Sequence, residues 1–306
     1  MMLPDDCTLG ADQAQEVRAA ARRALEEAGA IGVFPTPVDQ ILDAARVEIV
    51  PLAIDEGYLA RLRQKAEAAG KALLSAISKV WGVFDPHARV AFIDPETPKD
   101  KLPFLKLHEG GHAVLPWQKA FGLFEDCRKT LDPEVKSGFE REANVFASEV
   151  LFQIDAFGEE AKDMAFGIKT PLALAKRYGA SVYATVRRYV TSSDRICAVL
   201  VFNPGELKEG FGLVSELRRA VSSPTFQSRF PTHVWPTQVS SGDDLGKAIP
   251  FGRMSAPRPL VLVDADGERH PFVAEAFKTP YQTFVLLHAE ATLGRKLILP
   301  MSAALV

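Results

Sequence analysis

Apolar and polar positions recur along this chain with two different periods, mostly helical over its first two thirds and mostly strand-like beyond. Residues 11–28, ADQAQEVRAAARRALEEA, contain no helix breaker and are followed by Gly29 and Gly32, which predicts a first helix. Thr36-Pro37-Val38-Asp39 has the form of an N-cap, a proline in the first helical position and an acid in the first turn. It predicts a short helix to about Ala45, with a strand at Val47–Val50 after it. Leu59, Leu62, Ala66, Ala69 and Leu73 recur at helical spacing and predict a helix from Asp55 to Lys79. Val80–Phe84 and Ala88–Ile93, joined by Asp85-Pro86-His87, have the form of a hairpin with His87 solvated in its turn. An open edge on such a hairpin could hold an extended peptide by strand addition. Further helices are expected around Pro103–Leu115 and from Asp132-Pro133 to about Ile154.

Beyond that point the texture changes twice. Residues 157–170 read as a polar link, and Thr170-Pro171 opens a helix to Tyr178, a turn at Gly179-Ala180-Ser181 and a second helix over Val182–Tyr189. Helix, short glycine turn and helix is the outline of a helix-turn-helix. Lys176, Arg177, Arg187 and Arg188 could meet phosphates, although a pair that packs on its neighbours and merely exposes its arginines fits the small basic cluster better. From about Arg195 the runs Ile196–Phe202, His233–Gln238, Leu260–Val263, Thr283–His288 and Lys296–Leu299 predict strands, with helical texture around Glu206–Ala220. The division expected is therefore 1–156, 157–194 and 195–306, an α+β chain of mainly helical character first and a C-terminal α+β domain last.

Composition narrows the function classes. A formal net charge of -3 over 306 residues gives no global signal for nucleic acid. Cys7, Cys127 and Cys197 are widely spaced and in no C-x-x-C pair, which argues against a disulfide framework and a thiolate zinc site. The start, Met1-Met2-Leu3-Pro4-Asp5-Asp6, is acidic where a signal peptide would be basic, and no apolar run approaches the ~18 residues of a membrane span. A soluble, cytoplasmic protein is expected. The sequence contains no nucleotide-binding P-loop, no G-x-G-x-x-G, no G-x-S-x-G elbow and no internal repeat.

The chemistry concentrates in Leu107-His108-Glu109-Gly110-Gly111-His112-Ala113. Two histidines four apart on a helix lie on one face, which suits two imidazole ligands to one metal ion, with Glu109 beside them to take a proton from a water at the metal. At about 100° per residue, Phe104, Leu105, Leu107, Val114 and Leu115 share the half-circle that holds both histidines, so the pair faces inward. Buried imidazoles need polar partners, and a metal explains the pair better than two unrelated core hydrogen bonds. A third protein ligand would leave a fourth, open position, and a carboxylate is a usual choice. On the following helix Glu140 falls within the apolar arc of Phe139, Ala143, Phe146, Ala147, Val150 and Leu151, whereas Glu142 falls outside it with Glu149. Glu140 is thus the expected ligand and Glu142 a solvated acid. Asn144 is either an outer hydrogen-bonding partner or a structural amide. His233, His270 and His288 have no metal-type spacing to one another, and Cys127 has no motif marking it as a nucleophile.

The order of helices, hairpin, H-E-x-x-H helix and then, about thirty residues on, an E-x-E-A-N-x-F-A helix resembles the ImmA/IrrE family of zinc metallopeptidases over roughly residues 12–152. The resemblance implies a zincin-like domain, a Zn2+ ion held by His108, His112 and Glu140, and Glu109 as the catalytic acid/base. It also implies an endopeptidase that cuts a partner transcriptional repressor of helix-turn-helix type in a stress or mobile-element response. The family pattern usually has a bulkier aliphatic residue at Gly110, and two adjacent helix glycines forgo about 1 kcal/mol each relative to alanine. Two imidazoles and a carboxylate would also accept other divalent metals such as Mn2+. The competing expectation is a DNA-binding transcriptional regulator with a structural or sensory metal site; relatives with a C-terminal sensor-like domain make a signal-receiving role for residues 195–306 conceivable by analogy.

Overall fold

The structure, a computed structural model, describes residues 9–51, 82–85, 88–118, 133–210 and 212–290. The expected helix at 55–79, the turn residue His87, Cys7, Cys127 and the expected strand at 296–299 lie outside them. The chain forms two compact units, Met2–Ser193 and Asp194–Val306. The class is α+β.

In the first unit, α1 (Ala11–Glu27) buries Val17, Ala20, Ala21, Ala24 and Leu25, the inner stripe of its alanine-rich sequence. A left-handed Gly29 (φ 59°) follows its end. Helix α2 runs from Val38 to Ala44. Thr36 does not cap it: its hydroxyl donates 2.8 Å to the carbonyl of Leu151 instead, tying this loop to the end of a later helix. Strands β1 (Glu48–Pro51), β2 (Gly82–Asp85) and β3 (Val90–Ile93) form a sheet in the order β1-β3-β2. The expected hairpin is the antiparallel β2–β3 pair, and β1 joins β3 in parallel.

Helix α3 (Leu102–Val114) carries the H-E-x-x-H segment and α4 (Pro133–Leu151) the E-x-E-A-N segment. Helix α3 packs on α4, on α2 and on β2 and β3, while α1 packs on α4 as well. The glycine pair of α3 is explained by these neighbours. A Cβ on Gly110 would lie 2.5 Å from Leu42 Cδ2 of α2, and one on Gly111 would lie 3.1 Å from Phe146 Cδ1 and 3.3 Å from Ala143 Cα of α4. Helix propensity is given up there so that α3 can be clasped from two sides.

Residues 157–170 are not simply a polar link. Helix α5 (Ala156–Lys162) begins at once and buries Phe157. Helices α6 (Lys169–Tyr178) and α7 (Val182–Thr191) follow, separated by left-handed Gly179 and capped at Ser181, whose Oγ accepts the Ala184 N–H at 3.2 Å. Phe152, Phe157 and Tyr178 meet ring to ring, so this segment packs within the first unit rather than standing apart. Its basic residues are committed there too. Arg188 forms a fork with Glu149, which is buried rather than solvated, and also donates to the Ile154 carbonyl. Arg177 pairs with Glu160 at 2.7 Å and lies over the Phe34 ring. The packed alternative to a phosphate-binding face therefore describes these two arginines.

The second unit is an antiparallel sheet of β4 (Cys197–Phe202), β5 (Glu206–Lys208), β6 (Gly212–Ser222), β7 (Gln238–Ser240), β8 (Arg258–Val263), β9 (Arg269–Lys278) and β10 (Thr283–Ala289). The order is β5-β6-β4-β10-β9-β8, with β7 also on β6. The helical texture expected around Glu206–Ala220 is β5 and β6. Leu213, Glu216, Leu217 and Ala220 mimic a helical stripe, but β6 is hydrogen-bonded on both sides, to β4 and to β5 and β7, and that pairing overrides local spacing. The strand expected at His233–Gln238 is displaced to β7, while β9 and a short helix α8 (Pro224–Arg229), capped by Ser223, add to the predicted elements. Central β4 is buried at every position. One face builds the core from Leu200, Phe202, Phe226, Phe230, Phe272 and their neighbours.

Candidate metal centre

The clasp on α3 sets the two histidines against Glu140 of α4. His108 Nε2 is 3.2 Å from Glu140 Oε2, and His112 Nε2 is 3.9 Å from Glu140 Oε1. One ligand atom from each of the three residues lies within 4.8 Å of the other two. The imidazoles meet edge to face, their centroids 5.0 Å apart, as two rings one helical turn apart can. Their side chains are 13% and 20% exposed, whereas that of Glu140 is 51% exposed, so the group has a walled side and an open side. Two imidazole nitrogens and one carboxylate at this spacing form a donor set that fits a single divalent cation.

The electrostatics are those of a partly buried acid cluster. Burial pushes the Glu109 carboxyl up to about 7, the charge of His108 opposes that rise, and Glu140 adds to it. Glu109 is only 6% exposed. For His108 burial disfavours the charge, but hydrogen bonding to Glu140 and the fields of Glu109 and Glu140 outweigh it, and its pKa stands raised. Asn144 contributes in the same direction, which makes it a partner of the site rather than a remote structural amide.

The acids of α4 are placed differently from expectation: Glu140, expected within the packed arc, is exposed, and Glu149 and Glu142, expected outside it, are buried. Glu142 is buried, 4% exposed, and not solvated. Its Oε2 accepts from Trp117 Nε1 at 2.7 Å and from Gln118 Nε2 at 2.6 Å, and its Oε1 accepts from Gln13 Nε2 of α1 at 3.3 Å. A helical wheel assumes one packed face; α4 is packed by α1 on one flank and α3 on another, so its buried surface is wider than one arc. Gln118 in turn lies 2.7 Å from His112 Nδ1 through its Oε1. Trp117 and Gln118, six residues or fewer beyond His112, carry no motif, and only the fold brings them to the site.

The remaining described histidines, His233, His270 and His288, lie in the second unit. His270 Nε2 is 2.8 Å from Asp264 Oδ2, and Asp264, Glu268 and His270 form a second group within metal-ligand reach. His288 is 3.5 Å from Glu275, and His233 stacks edge-on to Trp235. Cys197 is a buried free thiol.

The fold is α+β, and its site is a two-histidine, one-carboxylate candidate centre. No protein-family profile matches the chain, and no curated protein does. Among solved structures, it is similar to a Mycobacterium tuberculosis transcriptional regulator with a TM-score of 0.51 and 14% identity, over 96% of each chain. At that identity the likeness extends to the fold alone. Among the described residues, no helix is long and apolar enough to cross a membrane.

Proposed function

We propose that this chain is a zinc-dependent endopeptidase with a zincin-like domain of the ImmA/IrrE kind, acting on a partner regulatory protein. The observation that carries the reading is the placement of Glu109. A buried carboxyl with a pKa near 7 lies beside two imidazoles that reach a common carboxylate, which is an acid/base poised at a metal-ligand set. His108, His112 and Glu140 would hold the ion. Bound there, Zn2+ would supply Lewis-acid polarisation of a peptide carbonyl and of a water. Glu109 then takes a proton from the attacking water as its oxygen bonds to the carbonyl carbon, and delivers it to the departing amine nitrogen as the C–N bond breaks. Among the described residues β2 is paired on one side only, and this edge of the β1-β3-β2 sheet, on which α3 packs, is the place for an extended substrate in this reading.

The test is to incubate the zinc-loaded protein with a candidate helix-turn-helix repressor and identify the fragments by mass spectrometry. Cleavage by wild type and none by Glu109→Gln, with metal retained, is the expected result; equal cleavage by both would sink the assignment.

A second reading, a DNA-binding regulator with a structural or sensory metal site, draws on the name of the Mycobacterium neighbour. The internal pairing of Arg177 and Arg188 counts against residues 171–190 as its DNA-binding face. Strongly salt-dependent DNA binding that survives Glu109→Gln, without proteolysis, would favour it.

A further inference from the structure

The hydrogen bonds around Gln118 leave its amide one orientation. Its Nε2 is claimed by two acceptors, Glu142 Oε2 at 2.6 Å and the Phe139 carbonyl at 3.1 Å. Neither can donate, since a carbonyl never does and this carboxylate oxygen already accepts a second N–H from Trp117. Turning the amide over would set its oxygen against both of them, so the nitrogen end is fixed toward α4. The oxygen end then faces His112 Nδ1 at 2.7 Å. An amide oxygen can only accept, so His112 Nδ1 must carry the proton. In the neutral ring that leaves Nε2 as a bare lone pair, and Nε2 is the atom turned toward Glu140.

We infer that Gln118 is a positioning residue, locked by Glu142 and the Phe139 carbonyl, that holds His112 in the Nδ1–H form with Nε2 presented to the ion. The step toward an ion rests on the metal-centre reading above; the tautomer does not. Glu142 is thereby given a role suited to a buried carboxylate that reaches Gln118, Trp117 and Gln13 from one position. Hydrogen-bonded partners of this kind fix the orientation of a ligating imidazole and raise its basicity. Here the partner is an amide, which can pass on orientation without adding a further carboxylate next to Glu109 and Glu140.

The tautomer can be read without metal or substrate. In the metal-free full chain labelled with 15N-histidine, at about pH 9 where imidazoles are neutral, two-bond 1H–15N correlations distinguish the two forms. Wild-type His112, assigned by its loss in His112→Gln, is expected as Nδ1–H; an Nε2–H spectrum for the wild type overturns the proposal with no variant needed. Gln118→Leu should shift His112 toward Nε2–H and weaken Zn2+ binding about 10- to 100-fold in a chelator competition. Glu142→Gln, which frees the Gln118 amide to turn, should give a mixture of the two forms. An unchanged tautomer in both variants overturns the proposal. A shifted tautomer in a protein that binds no Zn2+ at all upholds the positioning role and removes the metal-centre reading instead.

Discussion

Two groups of side chains among the described residues meet the distance requirement for a metal ion, and only one of them has the surroundings for it. His108, His112 and Glu140 come from two packed helices; Asp264 and Glu268 come from the turn between β8 and β9, and His270 from the start of β9. In the second group Arg229 of α8 lies 3.1 Å from Asp264 Oδ2 and also pairs with Glu268, while Asp264 Oδ1 accepts the N–H groups of Asp266 and Glu268. A guanidinium stands where a cation would, and the turn's own backbone uses much of the remaining acceptor capacity. In the first group Glu140 faces two imidazoles, which are neutral when they ligate. Proximity of ligand atoms is therefore a weak criterion, and what else neutralises the carboxylates decides.

The largest expected effect tests that contrast directly. His108→Ala or Glu140→Ala should lower Zn2+ affinity by more than the about 10- to 100-fold expected of an outer partner, whereas His270→Ala should leave metal content unchanged on elemental analysis. A comparable loss from His270→Ala would break the comparison.

Next in size is a pH response of opposite sign at the two groups. The folded-state pKa of Glu109 is raised from 4.5 to about 7, so its favourable contribution is full below 4.5 and is lost as pH rises through 7. Denaturant titrations of the metal-free protein should show up to about 3 kcal/mol of lost stability across that window, and Glu109→Gln should flatten it. Asp264 has its pKa lowered from 3.8, first by its hydrogen bond with His270. Its contribution is present above 3.8 and lost as pH falls through the lower folded value, so Asp264→Asn should alter only the acid limb.

The smallest effect concerns the scaffolds. Gly111→Ala must move Phe146 or the backbone of Ala143 by a few tenths of an ångström, so it should weaken Zn2+ binding a few-fold and cost about 1 kcal/mol. Gly267→Ala, at a left-handed φ of 83° in the β8–β9 turn, should lower the unfolding midpoint without changing metal binding. Equal loss of metal from both would remove the distinction between the two scaffolds.

Much of the candidate site was legible in the sequence because its spacing is a property of one helix. His108 and His112 share a face by helical period alone, and α1, α4, α6 and α7 follow from helical spacing of apolar residues bounded by glycine or proline. Local pattern misleads where a residue's surroundings come from more than one partner. A helical wheel with one packed face puts Glu142 in solvent, and local spacing makes β6 resemble a helix because its pairing partners β4, β5 and β7 are not visible in that spacing.

The sequence by itself determined which residues could carry the chemistry: two imidazoles one turn apart, a carboxylate between them in the chain and a second carboxylate about thirty residues on. The tertiary structure alone decided what each would do. Gly110 and Gly111 matter because α2 and α4 close on them, Glu109 becomes a near-neutral acid because it is buried, and Gln118 reaches His112 only because Glu142 holds its other end. Spacing along one element is fixed by backbone geometry, but burial and hydrogen-bond direction are properties of neighbours, and those are chosen when the chain folds.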